Sequence, residues 1–137
     1  MERGFMQPEK ISLIVDDMFF AVKINAAASA AGRPLERIRS RQQLEQLADA
    51  PPLLVLIDLK ASSLDPMQAI TFLKSQETLR AVPVVAFVAH VQTETIRRAQ
   101  AAGCDLVLPH SAFTQMLSDI VAGNLDKLAR RSRPAES

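Results

Sequence analysis

Tryptophan and tyrosine are absent from this 137-residue chain, aromatic residues make up only 4% of it, and there is a single cysteine, Cys104. Without indole or phenol rings there is little from which to build a stacking surface for nucleic-acid bases. One thiol cannot form an internal disulfide or a thiolate zinc site from this chain alone, which agrees with a reducing compartment. Charge of one sign is lacking too. The 16 basic and 15 acidic side chains leave a formal charge of +1, so electrostatics gives no argument for nucleic acid or for a membrane surface. Long apolar runs are also missing: the longest, Ala81 to Ala89, is half of what a membrane-spanning helix needs and contains Pro83. The first ten residues hold no apolar segment that would make them a secretory signal. A soluble, cytoplasmic protein is expected.

What is present is the composition of an ordinary globular domain, with 48% apolar and 23% charged residues. The length suits one domain with a real core. Short apolar runs alternate with longer amphipathic ones, the pattern of parallel strands joined by crossover helices. The strands are expected at Ile11 to Val15, at the weak and charged "PLERI" (an edge strand), at "LLVLI" from Leu53 to Ile57, at "VPVVAFV" and at "DLVLP". "LLVLI" is apolar at every position, as a central strand covered on both faces must be.

Five helices are expected between and after these strands. The first runs from about Phe19 through Ala31 and is closed by Gly32. The second is "SRQQLEQLADA", with Ser40 as its cap; the third is "MQAITFLKS", with Asp65 as cap and Pro66 in the first turn. The fourth is opened by Thr93, and the last spans about Ala112 to Ala129, burying Met116, Leu117, Ile120, Val121 and Leu125. Residues 1–9 read as a tail, 10–129 as the domain, and the basic, proline-containing 130–137 as a disordered tail or linker.

Five such units most often make a doubly wound, flavodoxin-like α/β fold, a parallel sheet of order 2-1-3-4-5 whose ligands bind at the carboxyl ends of strands one and three. Asp16 and Asp17 end strand one and Asp58 ends strand three. Three converging carboxylates repel unless a cation neutralises them, and Mg²⁺, a hard ion that favours oxygen ligands, suits the task. Beside such an ion a carboxylate can attack a phosphoryl donor and form an acyl phosphate. The competing reading of each acid is a cap or turn former.

In this register the chain resembles the receiver domain of two-component response regulators, from about Lys10 to Ala129. Asp16 and Asp17 match the family's metal-holding acid pair and Asp58 its phosphoacceptor. "VPVVAFVAH" matches the fourth strand, and "AAGCDLVLPHSAF" is similar to the family's "AAGADDYLxKPF" segment. The intervals of thirty residues from Asp58 to Val88 and twenty-two from Val88 to His110 fit without gaps.

The same register exposes departures. Val88 stands where the family has Thr or Ser, His110 where it has lysine, Val107 where it has the aromatic switch residue, and Ser111 where a proline follows the lysine. Lys60 and His90 fall where the family lines the path of the attacking water. Lys60 either reaches across the acids or lies in solvent. His90 and His110 together raise a transition-metal site that their spacing does not demand. Cys104 replaces the family's alanine, as a small buried side chain or as a redox sensor.

The resemblance implies a non-enzymatic signalling domain and leaves two readings. One is a pseudo-receiver that keeps the fold for protein–protein contact with its phosphorylation switch impaired. The other is a Mg²⁺-dependent phosphoacceptor, phosphorylated on Asp58 by a histidine kinase. Its partners would be a kinase or a downstream signalling protein, or a second copy through the face formed by the fourth helix, fifth strand and last helix, near Arg97 and Arg98. A flavodoxin-like cofactor domain is the weaker third reading, because "DDMFFAVK" follows strand one in place of a Gly-rich phosphate loop.

Overall fold

The computed structural model describes residues 10–89 and 92–125. Its strands are β1 (Ile11–Ile14), β2 (Leu35–Arg37), β3 (Leu54–Asp58), β4 (Val84–Val88) and β5 (Leu106–Pro109). Its helices are α1 (Met18–Ala30), α2 (Arg41–Gln46), α3 (Pro66–Ser75), α4 (Thr93–Ala101), α5 (His110–Gln115) and α6 (Leu117–Ala122). All strand pairings are parallel and the sheet order is β2-β1-β3-β4-β5, the expected doubly wound arrangement with the charged β2 at an edge. Among the described residues no helix is long and apolar enough to cross a membrane.

The alternation of the strands sorts the core into two layers. Ile11, Leu13, Leu54, Leu56, Val85, Phe87 and Leu108 face α1, α5 and α6, while Ile14, Val55, Ile57, Val84, Ala86 and Val88 face α2, α3 and α4. Both faces of β3 and β4 are therefore covered, which is why these strands are apolar throughout. One polar residue is buried with them: Ser12, fully buried, whose hydroxyl has no hydrogen-bond partner.

Local chemistry sets the helix ends. Asp65 accepts hydrogen bonds from the amides of Met67 and Gln68 ahead of Pro66, and Ser40 accepts one from Gln43. Gly32 closes α1 at φ 73°, with its amide donating to Ser29 and that of Arg33 to Ala28, a Schellman ending. Thr93 begins α4, but the cap position belongs to Gln92, which makes no side-chain cap bond.

The last helix differs from expectation. It starts at His110, directly after β5, and runs as two segments that meet at Met116, where φ −97° and ψ 6° depart from helical geometry. It ends at Gly123 in the left-handed region. Leu117, Ile120 and Val121 are buried as expected, whereas Met116 and Leu125 are only partly covered. The tails at 1–9 and 130–137, and positions 126–129 of the expected helix, lie outside the described residues.

Candidate functional site

The crevice forms where the chain reverses its direction of winding, at the carboxyl ends of β1 and β3. β1 delivers Asp16 and Asp17 just beyond its end, β3 ends on Asp58, β4 ends on Val88 beside Pro109, and His110 follows β5.

Each acid has a different environment. Asp16 is exposed, yet both of its oxygens are occupied by the loop after β3. Oδ2 accepts the Ser62 amide at 2.6 Å, the Ser62 hydroxyl at 2.9 Å and the Ser63 amide at 3.2 Å, and Oδ1 accepts the Ser63 hydroxyl at 2.7 Å. These donors, the Ser62 amide foremost, hold its carboxyl down to about 2. Asp17 is the N-cap of α1, with Oδ1 accepting the amides of Phe19 at 2.9 Å and Phe20 at 3.3 Å. The cap-former reading therefore describes its observed contacts.

Asp58 is half-buried, with Oδ1 accepting the Lys60 amide at 2.9 Å. Burial pushes its carboxyl above the ordinary value. The Lys60 amide and the charge of His110 oppose that rise, and the charges of Asp16 and Asp17 add to it. Asp58 thus sits within electrostatic reach of both acids and of His110. The Lys60 side chain itself is exposed.

The positions of the missing switch residues are filled by packing. Val88 is fully buried in the layer under α3 and α4, and Val107 is partly buried against that same layer. His110 stacks on Phe20 with ring centroids 4.1 Å apart and an interplanar angle of 17°, and it also contacts Phe87. Phe87 in turn stacks on Phe113 at 4.3 Å. His90 lies outside the described residues. Burial pushes the Cys104 thiol up to about 11, and its Sγ lies 3.3 Å from the carbonyls of Val84 and Leu106. Such a thiol carries almost no thiolate, which suits a small packing side chain and not a redox sensor.

As arranged, the three acids do not fit a divalent ion held jointly by Asp16, Asp17 and Asp58. Asp16 and Asp17 are engaged by protein donors. Among the described residues no group of three or more His, Cys, Asp and Glu side chains is placed to hold a metal. Ser62 and Ser63, which the sequence does not single out, supply all four of the donors to Asp16. Their one signal is a pair of hydroxyls in the loop leaving the same strand as Asp58. The first turns of α1, which follow Asp17, expose the apolar side chains of Met18, Phe19 and Val22, Phe19 to 85%.

No protein-family model matches the chain, and no curated protein does. Solved structures do. The phosphorylated cyanobacterial phytochrome response regulator RcpA is 20% identical at a TM-score of 0.71, covering 94% of this chain and 100% of that one. A CheY-like response regulator receiver domain protein from Methanospirillum hungatei JF-1 is 13% identical at a TM-score of 0.73, over 92% of this chain and 100% of that one. The receiver domain of the sensor histidine kinase PA1611 from Pseudomonas aeruginosa PAO1, with a magnesium ion coordinated in its active-site cleft, is 20% identical at 0.68, over 84% and 98%. The chain has the flavodoxin-like fold of response regulator receiver domains.

Proposed function

We propose that residues 10–129 form a receiver-like signalling domain of the two-component phosphorelay type, an atypical pseudo-receiver that acts by protein–protein contact and is not an enzyme. The observation that carries this reading is at the ends of β4 and β5, where Val88 is fully buried and His110 lies flat on Phe20. A phosphoryl group on Asp58 would find no hydroxyl donor at Val88. It would find no lysine ammonium at the end of β5, where the His110 ring is instead stacked on Phe20. Val107, stiff and small, cannot make the inward swing of an aromatic switch residue.

The partner is a signalling protein, a histidine kinase or a downstream component, in a cytoplasmic setting. The face of α4, β5 and the last helix, α5 with α6, is the surface for an output or for a second copy; Arg98, expected near it, lines the cleft between α4 and the start of α3 with Ser62, Asp65 and Thr95. Incubation with a small phosphodonor and Mg²⁺, followed by intact-mass measurement, is expected to give no adduct on Asp58. A stable adduct overturns the reading.

One observation favours the alternative, a Mg²⁺-dependent phosphoacceptor. The charge of His110 acts on Asp58 and favours its ionised form, as a partial stand-in for the family's lysine. The magnesium ion in the PA1611 receiver domain agrees with that alternative. On it, Mg²⁺ binds at millimolar concentration and the binding is lost in Asp58→Asn.

A further inference from the structure

We infer that Ser62 and Ser63 replace a metal ion at Asp16, so that the crevice is held by the chain itself and does not take up divalent cations. An ionised carboxylate offers about four lone-pair sites. Four donors reach Asp16, two amides and two hydroxyls, and between them they occupy both of its oxygens. Magnesium requires near-octahedral oxygen ligands and dehydrates reluctantly, so at Asp16 it would have to break charge-assisted hydrogen bonds that are already short.

The neighbouring acids are each engaged through one oxygen, Asp17 Oδ1 by the first amides of α1 and half-buried Asp58 Oδ1 by the Lys60 amide, so a cation that reached them without Asp16 would have only their second oxygens to bind. The consequence is mechanical as well as electrostatic. Ser62 and Asp16 are 46 positions apart in sequence, and their bonds fasten the loop leaving β3 to the end of β1. The loop is thereby ordered by protein donors in the place where an ion would otherwise organise it. The surface around Asp58 then keeps one shape with or without metal, as a constitutive docking module needs.

This inference is separate from the phosphorylation reading: a chain that cannot be phosphorylated could still bind metal, and metal binding alone would leave that reading standing. The experiment is a calorimetric titration of MgCl₂ into the full chain, into Ser62→Ala/Ser63→Ala, and into Asp16→Asn/Ser62→Ala/Ser63→Ala. The wild type is expected to show no saturable binding at millimolar Mg²⁺. The double serine variant is expected to gain affinity by about tenfold or more, the worth of one charge-assisted hydrogen bond, and the triple variant to lose the gain. Saturable binding by the wild type, or a folded double variant with no gain, overturns the proposal. Should the double variant not fold, amide hydrogen exchange on the wild type and on Asp16→Ala decides: protection of the Ser62 and Ser63 amides that disappears in Asp16→Ala supports the fastening, and unprotected amides in the wild type refute it.

Discussion

Asp16 accepts both the backbone amide and the side-chain hydroxyl of Ser62 on one carboxylate oxygen, at 2.6 and 2.9 Å. The bonds favour the ionised acid and lower its carboxyl from 3.8 to about 2 in the folded state. A group depressed on folding stabilises above its unfolded value and loses that contribution as pH falls toward its folded one. Urea denaturation midpoints are therefore expected to drop as pH falls from 3.8 toward 2. In Ser62→Ala/Ser63→Ala the drop is expected to be shallower, because the acid then titrates nearer its unfolded value. An equally steep decline in that variant would exclude the two hydroxyls as its cause and leave it to the amides of residues 62 and 63, which alanine keeps.

Asp58 behaves in the opposite sense. Its folded carboxyl is raised, chiefly by burial, so the folded state holds the proton more tightly than the unfolded one. Its ionisation costs stability as pH rises through the raised value, and the cost is absent below the unfolded value of 3.8. Asp58→Asn keeps an oxygen to accept the Lys60 amide and removes the charge. It is expected to be more stable than the wild type at neutral pH, with the advantage vanishing in acid. Paired denaturation curves at the two pH values check this, and a variant less stable at neutral pH would contradict it.

Much of this arrangement is legible in the chain because its causes are local. A strand apolar at every position, ending on Asp58, specifies a central place in a covered sheet, and the Asp65–Pro66 pair writes the start of α3 in two residues. What is not legible depends on partners far apart in sequence. The Ser62 donors meet Asp16 only after β1 and β3 pair, and His110 reaches Phe20 only once α1 and α5 pack on the same side of the sheet. The break at Met116 has no proline or glycine to announce it. It lies within a segment whose apolar spacing reads as one helix.

Ser12 offers a test of the core itself. Its hydroxyl is fully buried in β1 with no hydrogen-bond partner, a state that costs the desolvation of the group. Ser12→Ala is expected to raise stability by about 1 kcal/mol in urea denaturation. A loss of stability would mean that the hydroxyl is satisfied in solution.

Two glycines in left-handed turns should respond differently to alanine. At Gly32, φ 73°, a Cβ meets nothing within 4 Å, so Gly32→Ala carries only the backbone cost of about 1 to 2 kcal/mol. At Gly103, φ 109°, the new atom comes 2.9 Å from Lys74 Cγ. That side chain cannot swing away freely, since its ammonium donates to Asp105 at 2.7 Å and to the carbonyls of Arg80 and Val82. Gly103→Ala is expected to be the more destabilising of the two in thermal or urea melts, and equal effects would show that Lys74 yields.

Restoring the family's residues should reveal how far the site has been given over to packing. Val88 is fully buried, and a threonine there would carry a hydroxyl into an apolar layer, a change that is not a neutral swap of shape. His110 holds a ring stack with Phe20 of a kind worth about 0.5 to 1.5 kcal/mol, which lysine cannot reproduce. Val88→Thr/His110→Lys is therefore expected to be less stable than the wild type by about 2 kcal/mol at neutral pH, in the absence of phosphodonor. Part of that loss is offset by the permanent charge placed beside Asp58, so the same two substitutions should cost more when made in Asp58→Asn, measured against Asp58→Asn itself, where the charge has no acid to meet. If the restored pair were as stable as the wild type, the ends of β4 and β5 would still be shaped for a polar site, and packing would not explain the departures at Val88 and His110.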